Sequence, residues 1–111
     1  MATFVTIGYG DRQGYDTTAE AVRDAAHAHD ARLLERGATM GIAGTPTQVR
    51  NHDGARVETA GGPFMRADLP VAGFALIEAE TLEEAIALAA GSPCAVAHGV
   101  IEVWPLQTTP Q

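Results

Sequence analysis

The sequence contains no lysine: all 7 of its bases are arginine, set against 14 acids, for a formal net charge of −7. An acidic chain with scattered arginines repels phosphate backbones, which argues against a nucleic-acid partner, and an anionic membrane surface would repel it as well. Cysteine is nearly absent. Cys94 stands alone, so no disulfide can close within the chain, and a single thiol is compatible with a reducing cytoplasm, the compartment expected here. Long apolar runs are missing too. The N-terminus, MATFVTIGYGDRQ, has neither a basic leader nor an extended hydrophobic stretch, so neither a signal peptide nor a membrane span is expected. There is no repeat at a fixed period and no low-complexity tract.

What is present is enough for one core. The 111 residues, 46% hydrophobic with a mean hydropathy near zero, are expected to form a single domain over 1–111, with 107–111 (QTTPQ) as a flexible tail. Thr3–Tyr9 reads as a strand with Val5, Ile7 and Tyr9 on one face. Gly10–Asp16 reads as a loop. Thr17 and Glu20 have the spacing of a capping box and predict a helix with the apolar stripe Val22, Ala25, Ala26, His29 and Leu33, ended at Gly37. Ala38–Ala43 predicts a second strand. Asp53-Gly54 predicts a tight hairpin turn between Gln48–Asn51 and Arg56–Thr59, exposed near an edge.

The chain is organised around Gly61–Glu78, a glycine–proline turn that runs into a strand. Over Val71–Ala79 one face holds Val71, Gly73, Ala75 and Ile77, and the other holds Ala72, Phe74 and Leu76. Neither is polar, so the strand should be central and covered on both sides. Thr81 and Glu84 form a second capping box, opening a helix with the stripe Leu82, Ala85, Ile86 and Ala89. Val100–Trp104 predicts a last, central strand.

This order predicts an α+β fold, ferredoxin-like in connectivity, with two helices on one face of an antiparallel sheet. Two helices cover only one face. The other is expected to pack on a second copy with two-fold symmetry. Covering ~500 Å² per subunit would contribute on the order of 12 kcal/mol before association costs.

The turn Gly61-Gly62-Pro63-Phe64, the pair Gly73-Phe74 and the ending LIEAETLEEAIALAAGSPCA with HGVIEVWPL resemble the YCII-related proteins, in the branch marked by an Asp-Gly-Pro-Phe turn. The resemblance spans nearly the whole chain and is strongest from Gly61 to Leu106. It implies a dimeric α+β barrel whose two sheets face each other around a pocket. It also implies an enzyme of the kind represented by a dehydrochlorinase of chlorinated-aromatic breakdown, or by small relatives with a His and an Asp in the pocket. Other members sit beside alternative sigma factors. The chain departs from that pattern: Gly61 replaces the turn Asp, Arg66 and Asp68 stand where an acid and a Lys are usual, and Trp104 replaces an Arg.

Among the four histidines, His27 and His29 form a His-x-His pair. On a helix they diverge and cannot share an ion, and no other cluster has zinc spacing, so neither a metal nor a cofactor is expected. His29 on the apolar stripe reads as a satisfied core residue. His27 shares its side with Arg23, Asp24 and Asp30. Counted back from Ala43-Gly44 it falls where the small relatives carry their pocket His; counted from Gly37 it is one residue off. His98, before Gly99 at the start of the last strand, is a second candidate acid or base, with a surface loop as the alternative.

Arg66 and Asp68 would project together from an extended segment, Arg66 to bind an anionic group and Asp68 to orient a His or act as base, unless they are a solvated surface pair. Phe64, Phe74, Tyr9 and Trp104 are candidates to line an apolar pocket, or else simple packing. Glu102 lies between Val100 and Trp104 and needs a partner or a wet pocket. Two functions stay open: a cofactor-independent lyase or isomerase acting on a small organic molecule in a pocket between helix and sheet layers, and a non-catalytic dimeric module for a small ligand or a protein.

Overall fold

A computed structural model describes residues 1–107; the rest of the tail expected over 107–111 lies outside the described residues. The chain runs β1 (Ala2–Tyr9), α1 (Arg12–Thr17), α2 (Glu20–Glu35), β2 (Thr39–Ile42), β3 (Thr47–Arg50), β4 (Glu58–Gly61), β5 (Val71–Ala79), α3 (Leu82–Ala90), α4 (Pro93–Val96) and β6 (Val100–Pro105). Four strands form an antiparallel sheet in the order β2-β5-β1-β6, and β3 pairs with β4 in a separate ribbon. This is the ferredoxin-like α+β arrangement, with β5 and β1 central.

Register divides the side chains between two faces. Phe4 lies opposite Ile77, and Thr6 opposite Ala75 and Val103. On this face Phe4, Ile77, Ala79 and Ala85 of α3 form the buried core, with Ala38, Leu88 and Val103 packed against it. Such small side chains let the helices approach the sheet closely. His29 ties the two long helices together, its Nε2–H donating to the Leu88 carbonyl. It is half-buried, and its ring nitrogen is satisfied, as its position on the stripe suggests.

On the other face, Val5 lies between Leu76 and Trp104, and Ile7 between Phe74 and Glu102. No helix among the described residues covers them. Phe74, Leu76 and Trp104 are 49%, 46% and 54% exposed. Helices gathered on one side of a single sheet leave its other side bare.

Several local expectations are corrected. Arg12–Thr17 is a short helix rather than loop, its N-terminus capped by Asp11 Oδ1, which accepts from the Gly14 N–H at 2.9 Å. Thr17 therefore ends α1, bonding to the Gln13 and Gly14 carbonyls, and α2 starts after Ala19 with no side-chain cap. Val22, Leu82 and Ile86 are exposed, as is Ala25, because the small alanines at 26, 85 and 89 make the contacts. Asp53 and Gly54 take the expected positive φ (60° and 69°), but within a longer turn that places Arg50 opposite Glu58. Finally, β6 pairs only with β1, so Glu102 sits on an edge strand rather than a central one.

Candidate functional site

The end of the sheet at Tyr9, Val71 and Val100 opens into two cavities, one on each face. On the helix side, a cavity of about 690 Å³ is lined by Asp11, Arg12, Tyr15, His27, Asp30 and Cys94 over apolar walls that include Met40, Ile42, Ala75 and Ile101. Helical spacing explains part of this set. Arg23, His27 and Asp30 follow at i, i+4 and i+7 along one side of α2. The short α1 then brings Tyr15 across, with its hydroxyl 2.8 Å from His27 Nε2. The Arg23 guanidinium lies 4.9 Å from the centre of the Tyr15 ring, in the range of a cation–π contact. Tyr15 is thus held by two residues of the neighbouring helix.

Burial pushes the Asp30 carboxyl up from its ordinary value, against the opposing pull of His29 and His27. Burial also raises the Cys94 thiol, with the Asp30 charge as a smaller cause. Both groups are therefore biased toward their neutral forms. A glycine opens the floor at Gly8, where a Cβ would come within 2.8 Å of Cys94 Sγ.

On the open face, a wider groove of about 1390 Å³ lies between the sheet and segments 43–50 and 62–71, lined by Tyr9, Arg50, Phe64, Met65, Arg66, Asp68 and Phe74 among others. Tyr9 is buried beneath Met65. Its hydroxyl is 2.8 Å from Glu102 Oε1 and 2.9 Å from Met65 Sδ. With one proton to give, it donates to the carboxylate, the stronger acceptor, and the thioether contact is packing. That hydrogen bond is the first cause of a raised Tyr9 phenol. Trp104 Nε1–H donates to the same Glu102 oxygen at 3.2 Å. The Glu102 carboxylate therefore has the partners its position demanded.

The candidate residues thus divide. Arg66, Asp68, Phe64, Phe74 and Tyr9 line the open-face groove, with Glu102 and Trp104 beside it through Tyr9. Of the two candidate histidines, His27 lines the helix-side cavity, on the far side of the sheet from Asp68 and Arg66. His98 lines neither cavity; it is exposed, with φ of 62° in the turn before β6. His27 and His29 diverge as helical neighbours must, and among the described residues no three His, Cys, Asp or Glu side chains gather as a possible metal cage.

The YCII-related domain matches residues 2–108. The chain belongs to the YCII-related family. No curated protein matches it at a significant level. In this YCII-related chain, sequence reasoning missed Tyr15, Asp11, Arg12 and Cys94 as lining residues of the His27 cavity. The first three lie on or beside a helix that read as loop. Asp11 with Gly14 was the one available signal, an acid three residues ahead of an amide it can cap. The side of α2 carrying Arg23, His27 and Asp30 was legible, but what faced it was not.

Proposed function

We propose that the protein is a cofactor-independent acid–base enzyme of the lyase or isomerase type, acting on a small organic molecule in the cavity between the helix layer and the sheet. The observation that supports this most is the hydrogen bond of 2.8 Å between Tyr15 and His27 at the mouth of that cavity. When Tyr15 O–H donates to Nε2, His27 carries its own proton on Nδ1 and is ready to accept one. A substrate C–H beside a carbonyl loses its proton to Tyr15 Oη as the phenol proton passes to Nε2, or to Nε2 itself once the Tyr15 hydroxyl has turned away. In an elimination the freed electron pair forms the C=C bond while the β-substituent departs with its bonding pair. In an isomerisation the proton returns to another carbon. Asp30 lines the same cavity, and its carboxyl, when protonated, can donate to the substrate oxygen. The resemblance to small relatives with a pocket His favours His27 over His98 in this role.

The test is exchange and turnover in D₂O, followed by NMR, over small ketones, aldehydes and β-chloro carbonyl compounds. His27→Gln should lower the rate by roughly 10²–10⁴-fold, the usual contribution of a positioned acid–base group, and Tyr15→Phe by less. Equal rates for wild type and His27→Gln across the set would rule the reading out.

A second reading, a non-catalytic dimeric module, is favoured by the bare apolar sheet face. We propose that a second copy covers Val5, Ile7, Leu76 and Trp104 in either case, with neither nucleic acid nor membrane as a partner. No helix among the described residues is long and apolar enough to cross a membrane, and the lone thiol favours the cytoplasm as the working compartment.

A further inference from the structure

The acid–base chemistry proposed for His27 makes no use of the groove on the opposite face of the sheet. The two cavities share only Ala43, Val71 and Phe74 of their linings, so no charged group belongs to both. The groove has two features that a merely solvated surface would not combine. Its walls carry large apolar side chains left open, Phe64 at 77% and Met65 at 47% exposure. Its charge also runs against the rest of the molecule: the lining holds two arginines and one acid, Asp68, in a chain of net charge −7.

The arginines are not spent on each other's neighbours. Arg50 Nη2 donates to Gln48 Oε1 at 2.9 Å, and its Cζ lies 5.8 Å from the centre of the Phe64 ring. That holds the guanidinium in place beside an aromatic face while committing only one of its nitrogens to a neutral amide. Gln48 is itself anchored, its Nε2 donating to the Gly62 carbonyl at 3.2 Å. Arg66 has no ion pair or side-chain hydrogen bond among the described residues; the one salt bridge there is Arg56–Glu58. Asp68 therefore does not neutralise Arg66 by direct contact. Tyr9, at the floor, has its hydroxyl committed to Glu102, so the floor presents ring rather than donor.

From this we infer that the groove is a binding site for a small organic anion: an apolar or aromatic body carrying one carboxylate. The body lies on Phe64, Met65 and Phe74, and the head is bound by Arg66 and Arg50. A planar carboxylate matches the guanidinium fork, and the apolar walls exclude water around the pair. A polyphosphate or nucleic acid is disfavoured by the acidic remainder of the chain and would leave the apolar walls unused.

The test is calorimetric titration of the full chain with 2-naphthoate and decanoate, each against its neutral primary amide. At least one acid should bind roughly tenfold more tightly than its amide, since hydrogen bonds to a charged group exceed neutral ones by about that factor. Arg66→Gln and Arg50→Gln should each shrink the difference between acid and amide; Arg66 is exposed and Arg50 half-buried, outside the buried core. His27→Gln should leave acid and amide binding as in wild type, whether or not it abolishes turnover, which separates this site from the proposed catalytic one. Equal affinity for acid and amide, no binding of either acid at millimolar concentration, a preference that survives both arginine changes, or one lost with His27→Gln would each overturn the inference.

Discussion

At the residue scale, burial disfavours the charged form of two groups in the helix-side cavity, Asp30 and Cys94. Asp30 holds its proton more tightly in the folded chain than in water because burial outweighs the favourable histidines at 27 and 29. A carboxyl raised on folding binds more protons in the native state, so it costs stability as the pH rises through the interval above its ordinary value. Below that value both states are protonated and the cost vanishes. Asp30→Asn should therefore be more stable than wild type at neutral pH, and the two should converge on acidification to about pH 3, beneath the ordinary aspartate value. Urea denaturation at both pH values measures this, and a variant less stable at pH 7 would refute it. Cys94 has burial as its first cause and Asp30 only as its second; the same substitution leaves its thiol raised. Neither group was legible as special in the sequence. Asp30 read as one charged residue on the side of the helix shared with Arg23, Asp24 and His27, and Cys94 as a lone thiol, because desolvation is a property of what surrounds a residue.

At the element scale, two Thr-x-x-Glu segments looked alike and only one became a cap. Thr81 is extended, with φ −141° and ψ 165°, and its Oγ1 accepts from the Glu84 N–H at 3.1 Å, while the Glu84 carboxylate accepts from the Glu80 N–H at 3.2 Å. Thr17 is already helical, as the last residue of α1, so its hydroxyl turns back to carbonyls of its own helix and the following helix is left without a side-chain cap. Thr81→Ala should cost about 1 kcal/mol of folding stability, the usual loss of an N-cap, and Thr17→Ala less, both read from denaturant midpoints. Equal losses would mean that the distinction drawn from the two hydrogen-bond patterns is wrong. The capping signal depends on six residues at most; whether the chain before it is extended or helical depends on Asp11, Arg12 and Tyr15, farther upstream.

At the scale of the whole molecule, one side of the sheet is closed by α2 and α3 and the other is open. The proposal that a second copy covers it makes a direct prediction: Leu76→Glu, at the centre of the bare face, should shift the protein toward monomer in sedimentation at micromolar concentration, with its circular dichroism preserved. A wild-type chain that is already monomeric there would end the proposal. The alternation of Thr3–Tyr9, the two-sided apolar Val71–Ala79 and the helix between them were enough to establish the α+β class, the ferredoxin-like order and a central β5, because periodicity and strand burial are written locally in side-chain type. Sequence also singled out both sets of candidate residues, His27 on its helix side and Arg66, Asp68 and Phe64 after their turn. Only the tertiary structure decided that these sets lie on opposite faces of one sheet, that Tyr15 meets His27, and that Glu102 answers to Tyr9 and Trp104 from an edge strand. The contacts of Tyr15 with His27 and of Tyr9 with Glu102 join residues 12 and 93 positions apart, and they depend on which strands pair and which face each side chain takes, information that no stretch of the chain carries by itself.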